Sequence, residues 1–209
     1  RGVPGTHDAA LAIQQLSTLI KQDSGRVELP VFDKSHDDRD GAHPQIVELP
    51  IKVIILEGWC LGAEPQTAAQ LETAINTLES QHDANGEWRE FVNQALANEY
   101  AELFALVDCW LMLKAPSFDC VYQWRMEQEQ KMAKQLGVNF LSDDRKSHPG
   151  IMSTIELQHF IDHYQRITEH GFATLPKKMH HLYELDTQRK IINHSQPVTM
   201  KNTSTRGIK

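Results

Sequence analysis

Two carboxylates stand where acids do chemistry in an α/β protein. Asp33 follows a short β-rich run over residues 27–32, and Glu57 follows an almost continuous β-branched run over residues 51–56. In a parallel sheet the ligand crevice lies at the carboxyl ends of the strands, so neighbouring strands would bring both acids to one rim. Such a pair suits phosphoryl transfer to an alcohol, which needs a magnesium site of carboxylate and water, a base beside the acceptor hydroxyl and a cradle for the donor phosphates. Either acid alone serves equally well to cap a turn or to pair with a nearby arginine such as Arg39. The usual cradle is Gly-x-x-x-x-Gly-Lys-Ser/Thr between a strand and a helix. This sequence contains none: no two of its 11 glycines stand five apart, and no glycine is followed by lysine.

The elements that must position these acids are readable from periodicity. Ala12, Ile13, Leu16, Leu19 and Ile20 share one face of a helix over residues 9–20, which Ser24-Gly25 ends. Ahead of it, Pro4-Gly5 makes a turn and Thr6 or Asp8 supplies the cap. The charged stretch 33–44, with Gly41 and Pro44, predicts a loop, and the run 51–56 predicts a strand buried on both faces. Helices follow over 67–80 and 87–104, then a strand over 106–113, helices over 118–136 and 154–170 with a polar stretch at 142–150 between them, a strand over 181–185, and a polar tail over 193–209. The alternation predicts an α/β fold, a parallel sheet flanked by helices, in a single domain over residues 1–209.

Composition excludes several function classes. The chain has 209 residues, with 21 Lys and Arg against 28 Asp and Glu, a net charge of −7. No field of that sign favours a phosphate backbone or an anionic bilayer, so neither nucleic acid nor membrane is an expected partner. Apolar stretches such as 53–56 and 104–107 fall far below the roughly 20 residues that span a membrane. Cys60, Cys109 and Cys120 are widely spaced with no Cys-x-x-Cys, which fits a reducing cytoplasm. Residues 36–41 fail as a calcium loop, because register on Gly41 puts His36 first and Val47 where a bidentate Glu belongs. His159 and His163 lack the Glu of a zinc-protease helix and read, with Arg166 and His170, as a surface stripe. The four tryptophans, Trp59, Trp88, Trp110 and Trp124, read as core.

Five segments carry a family resemblance. They are Arg1-Gly-x-Pro-Gly-Thr-His-Asp8, Pro30-x-Phe-Asp-Lys-Ser35, Val53-Ile-Ile-Leu-Glu-Gly-Trp-Cys-Leu-Gly62, Trp124-Arg-x-Glu-Gln-Glu-x-x-Met132 and Tyr164-Gln-Arg-Ile-Thr-Glu-His170. In this order, and over nearly the whole chain, they resemble the D-glycerate 3-kinase group of P-loop kinases, above all its bacterial kinase-like members. The uridine kinases and phosphoribulokinases are similar at a greater distance. The resemblance implies a cytoplasmic kinase that uses ATP and Mg2+ on a small-molecule hydroxyl. Asp33 would be the general base and Glu57 a Walker-B-like acid holding the metal through water. Lys34, Ser35 and Arg39 would face the acceptor together with His7 and Asp8, and Arg125 would lie near the nucleotide in a lid-like helix. In that family a strand, the phosphate loop and a helix precede the first of these motifs. Starting at it, the chain is expected to lack them and to self-associate through an exposed sheet edge. The segment His36-Asp-Asp-Arg-Asp-Gly41, where glycerate kinases tend to carry a Gly-rich loop, keeps other acceptors open, of nucleoside or pantothenate class. A degenerate scaffold that binds a metabolite or protein without catalysis is the alternative.

Overall fold

Helix α1 (Ala9–Lys21) begins at a turn that its sequence dictates. Gly5 has φ of 91° after Pro4, and the Thr6 N–H donates to the Val3 carbonyl at 3.1 Å, the pairing of a type II turn with proline and glycine at its centre. Asp8 then caps the helix, its Oδ1 accepting the Leu11 N–H at 3.0 Å. The computed structural model describes residues 2–33, 38–140 and 151–199, which fall into two compact units.

The first unit comprises Arg1–Leu61 and Ala95–Asp108. In it α1 packs on α5 (Glu99–Phe104) and on β1 (Gly25–Asp33), burying Ala9, Leu19, Val27, Tyr100 and Leu103. Strand β1 pairs antiparallel with β2 (Asp38–Leu49), from Gly25 opposite Leu49 to Asp33 opposite Asp38. The stretch 33–44, expected as a loop, is therefore largely the second strand of a ribbon. The ladder is interrupted between Leu29 opposite Gln45 and Val31 opposite Asp40, where Pro30 has no N–H to give. Residues 41–44 bulge out there, and Asp40 organises them, its Oδ1 accepting the N–H groups of Ala42 and His43 at 2.9 and 3.2 Å.

Residues 51–56 form no ladder among the described residues, against the expected buried strand. Val53 and Ile55 are 74% and 87% exposed. Their β-branched composition suits burial on both faces, but burial requires neighbouring strands that composition alone does not supply.

The second unit comprises Gly62–Gln94 and Cys109–Lys209. Its sheet has the order β3-β4-β5, with β3 (Leu111–Lys114) parallel to β4 (His181–Leu185) and β5 (Ile191–Ser195) antiparallel to β4. The long helices α6 (Phe118–Gln135) and α7 (Thr154–Thr174) pack on one another, with Leu157, Ile161 and Ala133 wholly buried. Ser153 and Glu156 close a capping box at the start of α7. The helix expected over 67–80 is two short ones, α2 (Ala68–Leu71) and α3 (Thr77–His82), because the Asn76 side chain caps α3 at the Glu79 N–H. That over 87–104 breaks at Asn98 into α4 (Glu87–Ala97) and α5. The fold is thus mixed α/β, with helices and a sheet that contains a parallel pair of strands, as expected. Among the described residues no helix is long and apolar enough to cross a membrane.

Candidate functional site

The first unit gathers several of the sequence-predicted site residues at one end of the β1–β2 ribbon. The ribbon ends with Asp33, half-buried, opposite Asp38, and one step back Arg39 lies opposite Phe32. Arg39 reaches across 31 residues of sequence, its Nη2 lying 2.8 Å from Asp8 Oδ2. The Arg39 guanidinium, aided by the Leu11 N–H, holds the Asp8 carboxyl below its ordinary value, so this acid stays charged. Asp8 is thereby helix cap and ion-pair partner at once. His7, next in the chain, rests its Nδ1 2.5 Å from the hydroxyl of Tyr100. Lys34 and Ser35 lie outside the described residues.

Glu57 is exposed, immediately after the unpaired run 51–56. Among the described residues no group of three or more His, Cys, Asp or Glu side chains is placed to hold a metal ion. Magnesium asks for less, one or two carboxylates with water and substrate phosphates completing its shell, and the lone, solvated carboxylate of Glu57 fits that donor set.

Arg125, in the second unit, is committed within its own helix. Its Nη1 sits 2.5 Å from Oε1 of Glu129, a carboxylate with no exposed surface whose Oε2 accepts the Met152 N–H at 2.8 Å. The guanidinium also lies 6.0 Å from the centre of the Phe160 ring. This arginine neutralises a buried acid, and without it α6 would carry an uncompensated charge in its packed face.

Known proteins place the chain. No protein-family model matches it. The uncharacterized kinase mug58 of Schizosaccharomyces pombe is 29% identical over 188 residues, covering 86% of this chain and 62% of that protein. The chloroplastic D-glycerate 3-kinase of Arabidopsis thaliana is 30% identical over 158 residues, 69% of this chain and 30% of that protein. Among solved structures, D-glycerate 3-kinase from Cryptococcus neoformans superposes with a TM-score of 0.71 at 24% identity, over 94% of this chain and 69% of that one. The chain's homologues are D-glycerate 3-kinase and related kinases. It spans 62% and 30% of the length of the two curated relatives.

On this D-glycerate 3-kinase-like fold, several features escaped sequence reasoning. Tyr100 meets His7 from 93 residues away and carries no motif signal. Arg166, read as part of a surface stripe, is buried and pairs through Nε and Nη2 with Glu79 at 2.7 and 2.6 Å. Arg166 and Arg89 together hold the carbonyls that end the four-residue helix α2: Arg166 donates to Gln70 and Thr73 at 2.8 and 2.6 Å, and Arg89 to Leu71 and Glu72 at 2.6 and 3.3 Å. Of the four tryptophans expected in the core, Trp59 and Trp88 are 41% and 42% exposed, Trp88 stacking on Phe91. Gly62 has φ of 76°, which strains any residue with a side chain, and a Cβ on it would press on the Trp110 indole at 3.2 Å.

Proposed function

We propose that the chain is the acceptor-binding part of an ATP-dependent kinase that phosphorylates a hydroxyl of a small metabolite, with glycerate as the leading acceptor. The observation that carries this reading is the Asp8–Arg39 ion pair, which ties the Pro-Gly-Thr-His-Asp motif to the ribbon end where Asp33 stands. The relatives' names support the reaction class. In the proposed reaction the acceptor oxygen bonds to the γ-phosphorus of ATP as the bond to the bridging oxygen breaks and ADP departs. Asp33 takes the hydroxyl proton. Arg39, His7, Asp8, Lys34 and Ser35 hold the acceptor, so that most of the barrier is met by position and charge. Glu57 would hold Mg2+ through water, which supplies neutralisation of the phosphate charges. Arg125 is assigned to the nucleotide side on motif likeness alone. We also propose that the chain self-associates through β3, the outer strand of its sheet, where Leu111 and Leu113 are 55% and 60% exposed.

The test is Asp33→Asn in the whole protein, assayed by ADP release with glycerate, a nucleoside and pantothenate as acceptors. Turnover with the true acceptor should fall by about 10²- to 10⁴-fold, the usual weight of a general base, with nucleotide affinity unchanged. Unaltered turnover removes Asp33 as the base. No turnover by the unsubstituted protein with any of the three removes the kinase reading for these acceptor classes.

A further inference from the structure

Two imidazoles stand one turn apart on α7, and neither serves the proposed reaction. His159 is exposed and His163 half-buried, and their spacing of four residues brings both side chains to one face of the helix. The His163 Nδ1 lies 2.8 Å from the His159 carbonyl oxygen. A carbonyl only accepts, so Nδ1 carries the ring hydrogen and Nε2 keeps a lone pair. Metal-binding histidines are usually prepared in this way: one nitrogen donates to a carbonyl and fixes the ring, and the other is left to coordinate.

The ring positions fit a single ion. An ion on an imidazole nitrogen sits about 3.2 Å from the ring centre, a bond of about 2.0–2.1 Å plus about 1.1 Å of ring. The two ring centres are 5.2 Å apart, so arms of that length meet at about 110°, the tetrahedral angle. His82 of α3 lies beyond this reach: its ring centre is 6.0 Å from that of His159, which would open the angle to about 140°. The ligand set is therefore two side chains, with the other positions left to water. His159 borders an open groove between α3 and α7 that Gln158 and Asp162 also line, which gives that water room. Asp162 already accepts the Gln158 amide at 2.6 Å, and its carboxylate can take a hydrogen from water on an ion.

We propose that His159 and His163 form a binding site for a first-row divalent ion of the Cu2+ and Zn2+ class, held by two imidazole nitrogens with water completing its shell. Imidazole suits these ions, whereas carboxylate and water suit Mg2+, so the site differs in chemistry from the one assigned to Glu57. It stands whether or not the kinase reading does. An ion held there ties successive turns of α7 together and binds the folded chain in preference to the unfolded one, so it stabilises the fold.

The experiment titrates the untagged chain, first stripped of metal with a chelator, with Cu2+, Zn2+ and Mg2+ in separate calorimetric runs. Cu2+ should bind more tightly than Zn2+, in the Irving–Williams order, and Mg2+ should not compete with either. Pulsed electron paramagnetic resonance of the Cu2+ complex should count two imidazole nitrogens on the ion. His159→Gln and His163→Gln should each weaken the tightest site by at least about tenfold, while His82→Gln should change it by less than about twofold. Circular dichroism checks that each variant keeps its helices. Zn2+ should raise the melting temperature of the wild type and leave that of His163→Gln where it was. Three results overturn the proposal: no saturable Cu2+ site in the wild type, an affinity unchanged in the double variant His159→Gln with His163→Gln, or a loss in His82→Gln equal to that in His163→Gln.

Discussion

Breaking the Glu79–Arg166 pair should cost the chain a large part of its stability. Both side chains are nearly out of solvent, at 11% and 8% exposure, and the guanidinium donates four hydrogen bonds, two to Glu79 and one each to the carbonyls of Gln70 and Thr73. Removing one member of a buried pair strands the other charge, at about 3–5 kcal/mol. For a chain of this size each kcal/mol shifts the melting temperature by about 2–4 °C, so a single variant should melt about 6–20 °C lower. Glu79→Gln keeps an acceptor for one N–H and belongs at the lower end. Arg166→Met belongs at the upper end, because it leaves the Glu79 carboxylate buried with the Ile75 N–H at 3.0 Å and strips two carbonyls of their donor. The double variant Glu79→Met with Arg166→Met strands no charge and should melt above Arg166→Met alone. Calorimetric or circular-dichroism melts of the four proteins decide it. Melting of both single variants within about 2 °C of wild type would show that the pair is solvated in solution and that Arg166 is the surface residue its helix stripe suggested.

Two further outcomes follow from the described geometry. His170 on α7 is held below its ordinary value of 6.5 by burial, with Glu64 opposing and Lys178 adding to the shift; the unfolded chain therefore takes up a proton first as pH falls below 6.5, stability declines through that window, and melts of His170→Asn against pH should be flatter than wild type. The open edge of β3 predicts concentration-dependent association by light scattering, abolished by Leu113→Lys on the exposed strand, and a clean monomer of the unsubstituted chain at high concentration would refute it.

The helices α1, α6 and α7 were legible because each lays an apolar stripe on a partner, and Asp8 caps the start of α1 as Ser153 and Glu156 cap that of α7. Strand β2 was not. A strand none of whose residues is buried has no reason to alternate apolar with polar, and Asp38, Arg39, Asp40, Gly41 and Pro44 read as a loop. The run 51–56 shows the converse: its composition states what it would bury, and the described residues pair no strand with it. At the candidate site, Asp8 and Asp33 stand in motifs and Arg39 in the charged segment that follows the second of them. Their connection was not legible. The Asp8–Arg39 pair joins residues 31 apart and His7–Tyr100 joins residues 93 apart, and neither separation leaves a periodic trace. Buried charge was invisible for the same reason: Glu129 and Arg166 occupy helix positions that a solvent-facing acid or base would fill equally well.

The two oxygens of Asp8 narrow what evolution can place at that position. Oδ1 starts α1 and Oδ2 anchors the ribbon through Arg39. Asparagine would start the helix and lose the anchor's charge, serine would start it and fall short, and glutamate would reach the arginine but cap the helix poorly. Drift at position 8 therefore surrenders either helix initiation or the hold on the strand that carries Arg39, and one short side chain keeps these two parts of the unit in register.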